Sequence, residues 1–270
     1  YVDWGNPDKP LLLLIHGGRD HCRNWDWVAR ALRDDWHVIA PDLRGHGDSQ
    51  WALGGAYALI DYTLDIAQLL DAIQEFPMTI IGHSLGGSIA LQYTGTYPDR
   101  VKRVVAIEGL GPPPGMIKET PAQVRMRHWV SEMQALARRR TRNYATLAEA
   151  VARMQEANPN LSAEQARHLT VHGVNRNEDG TYAWKFDNYV RAASPYMFNM
   201  RDARALWQQI TCPTLLVRGT ESWASDPEKD GRATAFQQYR LVNVEKAGHW
   251  VHHDQLEEFL RVVRAFLREG

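Results

Sequence analysis

The chain of 270 residues carries 31 basic and 32 acidic residues, which gives a formal net charge of -1. That balance provides no overall field to attract nucleic acid or an anionic membrane, so we expect a small, weakly charged partner. With 44% hydrophobic and 23% charged residues, the composition is that of an ordinary globular protein. The length suits one domain, or one domain with an insertion.

The number of cysteines and the length of the apolar runs indicate in which cellular compartment the protein is expected. Cys22 and Cys212 are far apart and in no metal-ligand spacing, so we expect no disulfide framework, no zinc site and a reduced, cytoplasmic setting. The apolar run Leu11–Ile15 is too short to cross a bilayer or to form a signal-peptide core. Because the chain begins at Tyr1 without a methionine, we expect the native protein to start earlier.

Short runs that are apolar throughout recur along the chain, as is typical of parallel strands buried on both faces. We predict strands over these runs, with a sixth one nearer the edge: Leu11–Ile15, His37–Ala40, 79–81, 104–107, 214–217 and 240–244. Helical patterns lie between them, for example at 66–73, and an apolar stripe over 256–267 predicts a closing helix. This alternation indicates an α/β fold with a mostly parallel central sheet flanked by helices.

The pattern changes after a proline-rich break at 111–115. The following segment shows a helical stripe, two capping boxes and a short period-two run: 126–137, Thr146 with Glu149, Ser162 with Gln165, and 182–186. We therefore expect a core formed by 1–111 and 207–270, with a mainly helical cap over 112–206. A basic run over 138–142 could suggest an anion site, but we favour a solvated helix end, where cations complement the helix dipole.

A chemically specific motif follows the third apolar run. Gly82-His83-Ser84-Leu85-Gly86 stands between the predicted strand 79–81 and a segment with helical character, which is the strand–turn–helix setting of the G-x-S-x-G nucleophile elbow. Glycines at both ends permit the sharp turn, and the turn exposes the serine Oγ next to a helix N-terminus. The motif predicts Ser84 as a nucleophile.

Further motifs occur in matching order. His16-Gly17-Gly18 follows the first apolar run, residues 42–49 follow the second, and Gly248-His249 follows the last. With the elbow, the chain resembles the α/β-hydrolase superfamily over nearly its whole length, in particular the cap-bearing, esterase- and lactonase-like serine hydrolases. The resemblance implies the α/β-hydrolase fold and a Ser–acid–His constellation.

By this resemblance His249 is the general base that takes the Ser84 proton, a role that suits imidazole because its pKa lies near neutrality. The neighbouring His252 and His253 do not occupy the matching position. His16 and His46 resemble structural histidines of the family's loops, and His83, inside the elbow, would not reach the Ser84 Oγ.

The acid departs from the family's usual pattern. Most relatives carry an aspartate three residues after the glycine that ends the next-to-last strand, but here Ser222 stands three residues after Gly219. Haloalkane dehalogenases and a fungal-toxin lactonase use instead a carboxylate after the strand that follows the elbow helix, where this chain has Glu108. We therefore prefer Glu108 as the acid and keep Glu221 and Asp226 as alternatives.

Two backbone N–H groups are expected to form the oxyanion hole. The motif assigns one to Leu85, the residue after the nucleophile, and the resemblance assigns the other to Gly18. No cofactor is implied, because the loop at 44–47 lacks the glycine patterns of nucleotide sites.

The expected reaction is acyl transfer to water through an acyl-enzyme on Ser84. A serine at the elbow argues against epoxide hydrolase and dehalogenase activity, because those members of the family carry aspartate there. We expect the substrate class to be a carboxylic ester, including lactones. About a third of the large side chains near the site are expected to line a pocket for small apolar or aromatic groups: Met126, Trp129, Met133, Trp184, Phe186, Tyr189, Tyr196, Met197, Phe198, Trp223 and Trp250. A carbon–carbon bond hydrolase and a weakly catalytic ligand sensor remain alternatives, and the sequence says nothing about oligomeric state.

Overall fold

The computed structural model describes residues 1–117, 120–192, 194–196 and 198–269. Their main sheet has seven strands: β1 Val2–Asp3, β2 Leu11–Ile15, β3 His37–Ala40, β4 Met78–His83, β5 Val101–Ile107, β8 Thr214–Gly219 and β9 Tyr239–Val244. The order is β1-β3-β2-β4-β5-β8-β9; β1 pairs antiparallel and the other strands pair parallel. Each of the six predicted apolar runs lies in a strand of this sheet.

Helices alternate with the strands. The α-helices are α1 Asp26–Leu32, α2 Leu59–Ile73, α3 Leu85–Thr96, α4 Ala122–Arg138, α5 Leu147–Ala157, α6 Ala163–Gly173, α7 Met200–Trp207, α8 Val251–Asp254 and α9 Leu256–Arg268. Short 3₁₀ helices cover Cys22–Trp25, Pro98–Arg100, Pro114–Met116, Asn188–Arg191 and Ala233–Ala235. No helix in the described ranges is long and apolar enough to cross a membrane.

The core lies on both faces of the sheet. In β2, Leu11, Leu13 and Ile15 belong to the apolar cluster that includes α2 and α3, whereas Leu12 and Leu14 belong to the cluster that includes α1 and α9. Successive side chains of a strand point to opposite faces, so covering both faces requires an unbroken apolar run. Each fully buried leucine stabilises the fold by about 1.5–3 kcal/mol.

Four α-helices, two short 3₁₀ helices and a small hairpin occupy the described part of the segment between β5 and β8. Both predicted caps are present: Thr146 accepts from the Glu149 N–H, and Ser162 and Gln165 form a reciprocal capping box. The period-two run is β7 Tyr182–Trp184, which pairs antiparallel with β6 Val174–Arg176.

The boundary expected after residue 206 falls inside α7. This helix packs against α3 so closely that a Cβ at Gly95 would lie 2.3 Å from the Leu206 carbonyl oxygen. The Trp207 side chain joins the apolar cluster of α2 and α3. Part of the segment expected as cap therefore packs directly on the core layer.

Candidate active site

Ser84 stands at the turn between β4 and α3, with φ 52° and ψ -115°. A Cβ at Gly82 would lie 2.3 Å from the Gly86 carbonyl oxygen, and one at Gly86 would lie 2.2 Å from the Ile15 carbonyl oxygen. Both approaches are too close for a side chain, so the two glycines are required for this turn. A serine in the left-handed region is strained, and such strain is typical of functional positions.

His249 lies in the loop between β9 and α8. Its Nδ1 is 3.3 Å from Glu108 Oε2, so in the neutral imidazole the Nδ1–H donates to the carboxylate and Nε2 is left as the acceptor. The ring lies 5.3 Å from the Trp223 ring, centroid to centroid, and the side chain keeps 26% exposure. His249 also lines the cavity that contains Ser84.

The Glu108 side chain is completely buried at the end of β5. Its Oε1 accepts from the Gly219 backbone N–H at 2.8 Å, and its Oε2 accepts from the Ser222 hydroxyl at 2.6 Å. Glu108 itself has a positive φ of 54°. Buried carboxylates need such donors, because an ionised group without partners in the interior is very unfavourable.

The alternative acids lie elsewhere. Glu221 is exposed, and its backbone N–H donates to the Ala247 carbonyl. The Asp226 carboxylate accepts from the Glu228 N–H and lies 3.8 Å from Lys229 Nζ. Among the described carboxylates, Glu108 is the one within ion-pair distance of the His249 ring.

The expected oxyanion donors flank Ser84. Leu85 is the first residue of α3, so its N–H is one of the helix-terminal groups without an intrahelical acceptor. The turn at Gly17 and Gly18 passes beside the elbow: a Cβ on Gly17 would lie 3.4 Å from the Ser84 Cβ, and one on Gly18 would lie 3.9 Å from a Leu85 methyl group.

Nearby histidines have structural contacts. His83 Nε2–H donates to the His249 carbonyl oxygen at 2.9 Å, and burial keeps the pKa of His83 well below its usual value. His16 donates from Nδ1 to the Gly17 carbonyl and accepts the Leu43 N–H at Nε2, which links the loops after β2 and β3. Burial lowers the pKa of His16 to about 3, so its imidazole stays neutral.

Two cavities meet at Ser84. The larger, of about 680 Å³, is lined by His249, by four of the expected aromatic residues and by five arginines: Trp184, Phe186, Trp223, Trp250, Arg19, Arg139, Arg142, Arg153 and Arg191. The smaller, of about 310 Å³, is mainly apolar: Leu59, Phe198 and Trp223 line it, together with Ser88 and Glu108. Met197 lies outside the described residues.

The solvated helix end expected at 138–142 is confirmed, since all five residues are exposed, but the run has a second feature that the sequence did not predict. Helix α4 ends at Arg138 as expected, but Arg139 and Arg142 line the cavity that holds Ser84. Sequence reasoning also missed Arg191 and the role of Ser222 as a donor to Glu108. The one available signal for the latter was that Ser222 occupies the position where most relatives have their acid.

One group of side chains in the described ranges has metal-ligand spacing. Potential ligand atoms of Asp26, His168 and His172 lie within 4.8 Å of one another, away from Ser84. Asp26 is already ion-paired with Arg23 at 2.7 Å and with Arg30 at 3.6 Å. A metal cation at this position would be repelled by both guanidinium groups, and the Asp26 carboxylate is already neutralised by them. Both facts argue against a resident metal.

Comparison with known proteins agrees with this architecture. Residues 10–256 match the family described as alpha/beta hydrolase fold. Esterase Rv0045c of Mycobacterium tuberculosis is 27% identical, over 98% of this chain and 84% of its own, and Esterase YbfF of Escherichia coli is 26% identical, over 96% and 93%. The solved thioesterase domain from the curacin biosynthetic pathway superposes with a TM-score of 0.84 at 23% identity, over 97% of this chain and 93% of its own.

The family match covers most of the chain, and the sheet, the elbow and the order of the motifs agree with it. The likeness to the solved thioesterase domain shows the fold alone. The chain therefore belongs to the family with the alpha/beta hydrolase fold, and it is a hydrolase with esterases among its relatives.

Proposed function

We propose that this protein is a serine hydrolase of carboxylic esters, including lactones, that works through an acyl-enzyme on Ser84. The observation that carries the proposal is the shared cavity of Ser84 and His249, with Glu108 on the Nδ1 side of the imidazole. The esterase names of the relatives support the same substrate class.

The geometry supports a specific division of labour. His249 Nε2 accepts the Ser84 hydroxyl proton as Oγ attacks the ester carbonyl carbon. Glu108 fixes the tautomer and stabilises the imidazolium that forms. The N–H groups of Leu85 and Gly18 receive the developing oxyanion. His249 then gives the proton to the departing alcohol, and water, activated in the same way, releases the acid and regenerates Ser84.

Residues 112–206 are proposed to act as a cap over this site. Arg142, Trp184 and Arg191 belong to this segment and line the Ser84 cavity. A cap that supplies lining residues controls which substrates enter and excludes bulk water during acyl transfer.

The direct test is Ser84→Ala assayed with p-nitrophenyl esters and a lactone panel. Loss of the nucleophile is expected to lower kcat about 10⁵–10⁶-fold while leaving the circular dichroism spectrum and melting temperature close to those of the parent. Ser131→Ala, which alters an exposed serine on α4, is the matched control and should keep full activity. Undiminished hydrolysis by Ser84→Ala would refute the assignment, and cleavage of β-diketones but of no ester would place the protein among carbon–carbon bond hydrolases.

A further inference from the structure

Ser84 separates two spaces of opposite character. We call the first the cationic chamber, defined by Arg19, Arg139, Arg142, Arg153 and Arg191 in the cavity of about 680 Å³. The second is the apolar bay, defined by Leu59, Leu85, Pro112, Phe198 and Trp223 in the cavity of about 310 Å³. Ser84 lines both, so an ester bound at its Oγ would extend one arm into each.

The apolar bay adjoins a larger, mainly apolar space, whose lining also includes Gln92 and Asp202. Leu59, Ser88, Pro112 and Phe198 also line a neighbouring cavity of about 750 Å³, whose wall includes Leu206 and other apolar side chains. The two spaces together offer room for a hydrocarbon chain of several carbons next to the nucleophile.

The arginines of the cationic chamber are poorly neutralised. Among the described lining residues there is no aspartate or glutamate. Arg153 pairs with Glu156 at 2.7 Å, outside the lining, whereas Arg191 has no ion pair with a described residue. The Arg191 guanidinium lies 5.0 Å from the centre of the Phe186 ring, and its buried Nε has no hydrogen-bond partner in the described structure.

Elsewhere in the molecule, partly buried arginines are either ion-paired or bonded to neutral oxygens, as Arg204 is to the Gly231 carbonyl. Arg44 contacts Asp65 at 2.6 Å, and Arg232 contacts Asp230 at 2.8 Å. Around Arg191 the neighbouring charges are of the same sign: burial, and then the charges of Arg139 and Arg19, lower the pKa of Arg191. Arg19, Arg139 and Arg142 are exposed and Arg153 and Arg191 are partly buried, so solvent screens much of the repulsion within the cluster. An anion between these cations would gain charge-assisted hydrogen bonds.

We propose that the cationic chamber binds an anionic group of the substrate, a carboxylate or a phosphate, while the apolar bay holds its hydrocarbon arm. The substrate class is then an ester or thioester with one anionic arm and one apolar arm. This inference rests on the proposed function, since it names the substrate class of the same site. Arginine suits the task because its planar guanidinium binds carboxylate and phosphate oxygens in a bidentate manner.

Two matched substrate pairs test the proposal and separate the two sources of negative charge. The first pair is p-nitrophenyl hexanoate and the mono-p-nitrophenyl ester of adipic acid, which differ by a carboxylate at the end of the acyl chain. The second is the hexanoyl thioester of pantetheine and that of 4′-phosphopantetheine, which differ by one phosphate on the leaving group. In at least one pair, the anionic member should have a kcat/KM roughly tenfold or more above the neutral one at low ionic strength, and added salt should reduce the ratio.

Arginine variants link that preference to the chamber. Arg191→Gln, Arg139→Gln and Arg142→Gln are each expected to lower the ratio of anionic to neutral kcat/KM roughly tenfold, as loss of one charge-assisted hydrogen bond predicts. Arg140→Gln is the matched control, because Arg140 is exposed in the same basic run and lies outside the chamber lining. Its ratio should equal that of the parent protein.

The proposal is overturned if the neutral member is preferred in both pairs, or if the arginine variants leave the ratio unchanged. Failure of the proposed function has a different signature: no ester is cleaved, or Ser84→Ala retains cleavage. In that case, calorimetric titration with adipate and with coenzyme A still tests the chamber. If at least one of the two anions binds and the Arg191→Gln variant binds it more weakly, the proposal is supported. If neither anion binds, the proposal is refuted.

Discussion

Glu108 is the residue on which the candidate site depends most. Its carboxylate is fully buried and accepts from a backbone N–H, a serine hydroxyl and the imidazole of His249. Hydrogen bonds to a charged group contribute about 1.5–3 kcal/mol each, so three donors can offset the cost of burial. The carboxylate is thereby held in one position against His249 Nδ1.

Glu108→Gln is expected to lower kcat for ester hydrolysis by about 10³–10⁴-fold, because an amide can present an N–H to Nδ1 and favour the wrong imidazole tautomer. Steady-state kinetics on a p-nitrophenyl ester measures the loss. Glu221→Gln and Asp226→Asn are the matched controls and should stay within about twofold of the parent, since neither carboxylate contacts His249. If the large loss instead follows one of these controls, Glu108 is not the acid.

At the scale of elements, the adjacent ends of β5 and β8 bring together the two positions at which an acid is expected, Glu108 and residue 222. The two strands pair in parallel, with Ile107 opposite Val217, so the residues that follow them come close together. Glu108 leaves β5 and reaches Ser222, which stands three residues beyond the Gly219 that ends β8. A carboxylate from either strand end can therefore face the same imidazole.

This adjacency predicts that the acid can be relocated. Glu108→Gln combined with Ser222→Asp should recover roughly 10–100-fold of the kcat lost in Glu108→Gln alone, because the new carboxylate occupies the position next to the old one. The control is the double variant Glu108→Gln with Ser222→Asn. Its asparagine has the shape of the aspartate without the negative charge, so it should recover none of the lost kcat. Equal activity of the two double variants would contradict the idea that both strand ends serve one imidazole.

The basic run shows how an element can be predicted while its surroundings are missed. The spacing indicates a helix that ends near Arg138, and α4 ends there. The same pattern is typical of a solvated helix end, yet Arg139 and Arg142 line the cavity of Ser84. The chain beyond a helix end takes its direction from tertiary packing, which a local pattern does not encode.

At the scale of the whole molecule, buried neutral histidines couple stability to pH. Burial lowers the pKa of His16 and His253 to about 3 and of His21 to about 4, and holds the pKa of His83 and His252 well below the usual value. Below about pH 6.5 the unfolded chain binds protons at these imidazoles and the folded chain does not, so acid favours unfolding. Asp20 and Asp254 act in the opposite direction, because burial raises the pKa of Asp20 to about 8 and the pKa of Asp254 above its usual value, but two carboxyls are outweighed by five imidazoles.

His253→Phe should reduce this pH dependence. In the described structure neither ring nitrogen of His253 has a hydrogen-bond partner, and the ring packs against Trp27 and Trp250, so phenylalanine can replace it without loss of a polar contact. The drop in the free energy of unfolding between about pH 7.5 and about pH 5.5 should become smaller by about 1.4 kcal/mol, the contribution of one histidine. Urea unfolding at the two pH values measures this decrease in the free energy of unfolding.

His128→Gln, which changes an exposed side chain, is the control and should leave the decrease as it is in the parent protein. If both variants behave alike, burial of His253 is not the cause of the pH dependence.

Local sequence patterns predict six strands of the main sheet, several of the helices and the elbow. Unbroken apolar runs such as Leu11–Ile15 specify strands buried on both faces, and the glycines around Ser84 specify the turn, because these constraints act within a few residues. The family resemblance added His249 and a preference for Glu108, and it left the choice between acids open. These features are local in sequence or fixed in motif order.

Other contacts between distant side chains became visible only in the tertiary structure. The contact of Ser222 with Glu108 joins residues far apart in the chain, and the cationic chamber gathers Arg19, Arg139 and Arg191 from three separate segments. Such contacts depend on how the sheet, α4 and the segment before α7 pack together. Local propensity and hydrophobic period carry no information on that packing, because many pairings of distant residues satisfy the same pattern.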